Sequence, residues 1–156
     1  MKLYLDASAL VKRYVEDPFS DLIRDAMAEA DSWYICRVGF VETFRAVGLA
    51  AGAAATRGLT REWSAFGVVE VDQALVEQAA ALAIERDLRS LDALHLAAAL
   101  VLPSEDLLLT TWDHRLHSAA EAEGASAAPG DYRVTPFVTL RRRQGRGPDG
   151  RRRSRA

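Results

Sequence analysis

Four short apolar runs set the limits on this fold. Residues 2–6 (KLYLD), 32–36 (SWYIC), 67–71 (GVVEV) and 106–111 (DLLLTT) are bounded and β-prone. Between them the apolar spacing is helical. Leu10, Val11, Tyr14 and Val15 share a face and Pro18 stops the run, while Leu22, Ile23, Ala26, Met27 and Ala30 predict a second helix over 19–30. Phe40, Val41, Phe44, Val47 and Leu49 predict a long helix over 39–56, ending near Gly58, with LTREWSAF as a short one after it. An Ala-rich helix follows over 73–86. SLDALHLAAALVLP is capped at Ser90 and stopped by Pro103, and DHRLHSAAEAEG is closed by Gly124. Strands that return after helical crossovers favour an α/β fold with a mostly parallel sheet. YRVTPFV predicts a fifth, short edge strand, since Pro136 argues against a central place.

A chain of 156 residues is most simply one domain with a substantial core. Its longest apolar runs, such as LHLAAALVL, fall short of the roughly 20 residues that cross a bilayer, and the amino terminus shows no secretory pattern. Cys36, the single cysteine, has no internal partner for a disulfide, so the expectation is a cytosolic protein without a membrane association. The net charge of −2 hides an asymmetry. Residues 1–140 carry 12 Lys and Arg against 21 Asp and Glu, whereas 141–156 (RRRQGRGPDGRRRSRA) carry eight Arg against one Asp. The body would repel a polyanion at long range, so any nucleic acid must be held by local features, bound cations or the tail. The Arg/Gly/Pro composition cannot build a core, and residues 141–156 are expected to be a disordered tail behind a domain of residues 1–140.

Four acids stand out: Asp6 ends the first strand, Asp113 lies just past the fourth, and Glu42 and Asp92 interrupt helical stretches that would bury well without them. Each has an ordinary structural reading. Asp6 and Asp113 stand where helices begin and suit N-caps. Glu42 is three residues from Arg45 on one helix face, and Asp92 suits the first turn of its helix. Taken together they point elsewhere. Ligands bind beyond the carboxyl ends of strands in such sheets, and two of these acids follow strands. Carboxylates brought close together repel unless a cation neutralises them, and hard oxygen donors suit Mg²⁺ or Mn²⁺. Neutralising Asp6 or Asp92 is therefore expected to relieve repulsion and raise thermal stability.

LYLDASALVK, VETFRA, SLDALHLAAA and LLLTTWDHRL together resemble the PIN-domain ribonucleases, and more narrowly the VapC toxins of bacterial and archaeal toxin–antitoxin pairs. The resemblance covers about residues 1–138. It implies a three-layer α/β/α sandwich around a mostly parallel, four- to five-stranded sheet, and a Mg²⁺- or Mn²⁺-dependent endoribonuclease. It also implies a homodimer silenced by a small cognate antitoxin, whose groove is expected along the helices at 7–30 and 39–66. Carried over by position, the family's acidic set falls on Asp6, Glu42, Asp92 and Asp113, with Asp6 and Asp92 as first choice for direct ligands. Ser8 and Thr111 match small hydroxyl positions that orient carboxylates or water. Cys36 departs from the usual Ser or Thr at its position, and the resemblance says nothing of the Arg-rich tail. The implied reaction uses water as nucleophile and leaves 5′-phosphate and 3′-hydroxyl ends.

Other residues read more plainly. His95, three residues after Asp92, is expected to make a structural hydrogen bond; His114 and His117 have surface-helix spacing; Cys36 is a buried small side chain. Trp33, Trp63 and Trp112 suit packing, although Trp112 and Arg115 flank Asp113 closely enough to be candidates for RNA contact. A phosphoaspartyl phosphatase of the haloacid dehalogenase type would need a second Asp where Ser8 stands and a downstream lysine, yet the only lysines are Lys2 and Lys12. A non-cleaving RNA- or protein-binding module and a metal-dependent DNA nuclease remain as rivals.

Overall fold

The computed structural model describes residues 1–103 and 105–129. Five strands, β1 (Lys2–Leu5), β2 (Ser32–Cys36), β3 (Phe66–Val69), β4 (Leu107–Thr110) and β5 (Ala127–Ala128), form one sheet in the order β3-β2-β1-β4-β5. Every neighbouring pair is parallel. Six α-helices cover its faces: α1 (Ala7–Tyr14), α2 (Ser20–Glu29), α3 (Val38–Glu62), α4 (Gln73–Glu85), α5 (Ser90–Leu100) and α6 (His114–Ala122).

Alternation along the strands divides the core in two. Leu3, Leu5, Ile35 and Leu108 face one side and pack with Leu10, Ile23, Met27 and Leu59 from α1, α2 and α3. Tyr4, Cys36, Leu107 and Leu109 face the other and pack with Leu75, Leu82, Leu96 and Leu116 from α4, α5 and α6. The result is the expected three-layer sandwich.

The strand order reverses its direction of growth at β1. Consecutive strands β1, β2 and β3 run outward one way, and β4 then pairs on β1's other edge, with Leu5 opposite Thr110. This is a topological switch point, where the connections after β1 and β4 diverge and leave a crevice. Asp6 and Thr111 follow these two strands directly.

Several elements differ from the sequence expectation. The helix expected to end near Gly58 runs on to Glu62, because Leu59 is fully buried in the core beside α1. Of the short helix expected over LTREWSAF, the first four residues belong to α3, Trp63–Ala65 form a 3-10 turn and the last, Phe66, begins β3. Helix α1 ends at Tyr14, before Pro18, with Val15 already extended. Ser90 does not cap α5; the cap is Arg89, whose extended backbone presents its carbonyl to Ala93 N–H at 2.9 Å without any side-chain cap bond. The fifth strand is Ala127–Ala128, and the one expected at 132–138 lies outside the described residues, as does the tail. Gly124 does close α6: at φ 78 it lets Ala125 N–H reach Ala120 C=O.

By length and composition, Val38–Ala65 is apolar enough to cross a membrane, contrary to the shorter runs read from sequence. It is not one continuous helix. Gly52 has φ 76 and ψ −170, which divides it into pieces each shorter than the roughly 20 residues a span requires.

Candidate active site

Asp6 ends β1 and begins α1. Its Oδ1 accepts Ala9 N–H at 2.8 Å, so the N-cap reading holds. The same carboxylate also faces the loop after β4. Ser8 Oγ lies 2.7 Å from Oδ1 and 2.9 Å from Oδ2, and Thr111 Oγ1 donates to Oδ2 at 2.7 Å. Both hydroxyls have their own donors: Trp112 N–H reaches Ser8 Oγ at 2.8 Å, and Asp113 N–H reaches Thr111 Oγ1 at 3.0 Å. Each hydroxyl therefore accepts from the β4 loop and passes its proton to Asp6. Two single-residue bridges lock the first acid to the backbone carrying the last.

Asp6 is only 4% exposed. Burial pushes its carboxyl above the usual aspartate value, and the nearby His95, Thr111, Ser8 and the Ala9 N–H each pull it back. The largest favourable influence is the charge of His95.

Asp113 caps α6, with Oδ1 accepting Arg115 N–H at 2.9 Å and Leu116 N–H at 3.0 Å. Its Oδ2 accepts from Arg89 Nη2 at 2.7 Å. The same guanidinium donates through Nε to Asp92 Oδ2, also at 2.7 Å. Asp92 lies in the first turn of α5, so one arginine ties the starts of α5 and α6 together. This corrects the expectation for Asp92: with Arg89 beside it, neutralising Asp92 breaks an ion pair rather than relieving repulsion.

Glu42, near the start of α3, is bonded to His95 and not to Arg45. Its Oε2 lies 2.9 Å from His95 Nε2. His95 Nδ1 lies 2.9 Å from Tyr4 Oη, which also accepts Cys36 N–H at 3.2 Å. Since the Cys36 amide can only donate, the buried phenol proton goes to Nδ1, and Nε2–H is left to donate to Glu42. The expected hydrogen bond of His95 exists, with Glu42 and Tyr4 in place of Asp92. Gly39 makes the approach of α3 possible: a Cβ there would stand 2.6 Å from Ile35 Cδ1 and 3.1 Å from His95 Cε1. Cys36 is fully buried, burial pushes its thiol up, and α3 has no side-chain cap.

The acids thus fall into two linked groups at one end of the sheet. Asp6, Asp113 and Asp92 are joined through Thr111 and Arg89, and Glu42 through His95 to Tyr4, which feels the charges of both Asp6 and Glu42. Arg89 feels Glu42 as well. Arg89, Trp112, Asp113, His114 and Arg115 line a recess beside them. Trp112 is also a packing residue, its ring 5.6 Å from that of Phe19 with Lys12 Nζ 4.9 Å away over the other part of the aromatic surface. Reading the sequence missed Arg89 and Tyr4. The signal for Arg89 was its place three residues before Asp92, the spacing that instead suggested Arg45 for Glu42.

Chemically the donor set fits a hard divalent cation: four carboxylates, two of which already share one positive group, Arg89. Their spacing is wider than a finished metal centre, for among the described residues no three His, Cys, Asp or Glu side chains are grouped to hold an ion.

Comparison with known proteins agrees with this architecture. Residues 3–122 match the PIN domain family. Ribonuclease VapC45 of Mycobacterium tuberculosis (strain CDC 1551 / Oshkosh) is 33% identical over 136 residues, which cover 81% of this chain and 94% of the relative. The fold is similar to the crystal structure of Mycobacterium tuberculosis VapC20, a sarcin-ricin loop cleaving toxin. The TM-score is 0.63 at 18% identity, covering 75% of this chain and 94% of that one. A toxin–antitoxin complex from Klebsiella pneumoniae contains a similar chain, with a TM-score of 0.58 at 20% identity, covering 71% of this chain and 86% of that one.

Proposed function

The chain belongs to the PIN-domain family, and from that premise we propose that it is a VapC-type endoribonuclease, the toxin of a toxin–antitoxin pair. The observation that carries this reading is the bridge from Asp6 through Ser8 and Thr111 to the Asp113 loop, at the switch point between β1 and β4. The cap accounts for one oxygen of Asp6; the two hydroxyls that also hold this buried carboxylate, with no guanidinium or ammonium hydrogen-bonded to it among the described residues, support a place for an added cation.

In this reading Mg²⁺ or Mn²⁺ is the cofactor, Asp6 and Asp92 hold it directly, and Asp113 and Glu42 complete the set. The ion supplies positive charge against the phosphodiester and makes water a better nucleophile. Ser8 and Thr111 keep the Asp6 carboxylate from rotating. His95, anchored by Tyr4, fixes Glu42 through its Oε2, and a carboxylate left outside the shell of a bound ion would accept a proton from water. Arg115 and Trp112 contact the RNA from the recess beside Asp113. The catalytic domain spans residues 1–140, with 141–156 a basic tail, and the protein acts in the cytoplasm.

A homodimer and a small VapB-like antitoxin are the proposed protein partners. Val41, Phe44 and Leu49 support this, because they leave an apolar face of α3 68%, 40% and 73% exposed. A second reading, a PIN-like module that holds RNA without cutting it, draws on the wide spacing of the acids. One experiment separates the two. Purified protein should cleave RNA with Mg²⁺ or Mn²⁺ and stop in excess chelator. Cleavage undiminished by chelator would remove the metal from the reading, and binding without cleavage at any metal concentration would favour the module.

A further inference from the structure

Arg89 sits where an incoming ion would have to bind. Oδ1 of Asp113 is committed to the Arg115 and Leu116 N–H groups, which hold the start of α6. The oxygen that Asp113 can offer without uncapping the helix is therefore Oδ2, and Arg89 Nη2 is bonded to that atom at 2.7 Å. Asp92 also gives Arg89 its Oδ2, at Nε, while its Oδ1 lies outside that bond. The two acids leave 14% and 24% of their side chains in water, whereas Arg89 leaves 67%.

The backbone and side chain of Arg89 have separate duties. The backbone caps α5 through its carbonyl, which any residue supplies. The side chain makes one single bond to each of two carboxylates on different helices. It thereby differs from Arg13, which grips both oxygens of Glu62 with a side chain only 23% exposed. A mostly exposed guanidinium held by two single bonds can leave without disturbing the core, and two such pairs are individually weak.

We propose that Arg89 is an exchangeable internal cation: it spans Asp92 and Asp113 in the ion-free protein and gives up their Oδ2 atoms when a divalent ion binds. The proposal rests on the metal-dependent reading above. Its consequence is a threshold. An ion that takes these Oδ2 atoms must displace a covalently tethered competitor, so Arg89 lowers the affinity for the metal while keeping the two carboxylates together in its absence.

The test is calorimetric titration of RNA-free, full-length protein with Mn²⁺. The variants R89Q and R89K are compared with wild type, and circular dichroism confirms the fold of each. R89Q should bind Mn²⁺ roughly three- to tenfold more tightly, as expected for removing two weak ion pairs. R89K, which keeps the positive charge, should return toward the wild-type affinity. In ¹⁵N-labelled wild type, Mg²⁺ should shift the Arg89 Nε–H resonance and speed its exchange with water. Equal or weaker Mn²⁺ binding by R89Q overturns the exchange alone. Failure of both proteins to bind Mn²⁺ overturns the metal reading together with it.

Discussion

Helix α1 has a well-bonded carboxylate at each end, and the two are opposites. At its start, Asp6 is nearly buried and held by the hydroxyls of Ser8 and Thr111 and by one backbone amide. At its far end, Glu62 accepts from Arg13 Nε at 2.7 Å, Arg13 Nη2 at 3.1 Å and Tyr14 Oη at 2.7 Å. Burial pushes Asp6 above its ordinary pKa, while Arg13 holds Glu62 below its own. Both have their hydrogen bonds satisfied, and only Glu62 has a guanidinium against it. The second is a finished structural pair. The first is a buried carboxyl whose charge is disfavoured by burial and only partly offset by His95 and its hydrogen bonds, so an added cation would favour its charged form.

The hardest test of this contrast is D6N. RNA cleavage should fall at least about a hundredfold, more than the loss usual for residues that only support metal ligands. The melting temperature should rise, because an amide is cheaper to bury than a carboxylate. D92N should also lose cleavage without gaining stability, since it surrenders the Arg89 pair. Wild-type cleavage by folded D6N would reduce Asp6 to a helix cap and erase the difference between the two ends.

A smaller effect is expected at the other end. E62Q should leave cleavage unchanged and lower stability by roughly 1 kcal/mol, the loss being limited because 39% of the Glu62 side chain is in water. Melting temperatures measured against pH, with chelator present, sharpen the point through the signs. The Glu62 contribution is complete above the ordinary glutamate range and is lost as pH falls through its lowered value, so wild type and E62Q should converge in acid. For Asp6 the folded state prefers the protonated form, and that preference is lost as pH rises through its raised value. Wild type and D6N should therefore diverge toward neutral pH. Parallel curves for either variant would contradict the assigned direction.

The smallest effect on stability should come from the most highly charged segment. Truncation after Leu140 removes eight arginines, and the melting temperature should stay nearly unchanged because so polar a composition cannot add to a core. RNA binding should weaken at low salt and lose part of its salt dependence. Identical slopes for full-length and truncated protein would exclude the tail as an RNA anchor.

The four acids were legible in the sequence because Glu42 and Asp92 break apolar helical patterns and Asp6 and Asp113 follow apolar strands, and the sheet because its strands are nearly continuous in apolar character. The partners of those acids were not. Spacing within a helix suggests neighbours three and four residues apart, which gave Arg45 to Glu42. The actual partner, His95, is 53 positions away and is brought near by packing of α3 on α5. The Arg89–Asp113 bond likewise joins two helices. Strand β5 has two residues, too few for any periodicity to register. The ordinary readings of Asp6 and Asp113 as caps were correct as well, and capping leaves each an oxygen, Oδ2, that points to other partners.

Gly52 has a geometric consequence. Its φ of 76 with ψ of −170 belongs to a region essentially reserved for glycine, and an added Cβ would meet nothing within 4 Å, so the constraint lies in the backbone alone. A continuous helix has one axis along its length; α3 is instead two straight pieces meeting at a break. The distal piece is pinned to α1 by Glu62 and Leu59, and the proximal one carries Glu42 along with exposed Val41, Phe44 and Leu49. The break therefore lets the stretch bearing Glu42 and the exposed apolar residues follow an axis of its own, set independently of the α1 anchorage.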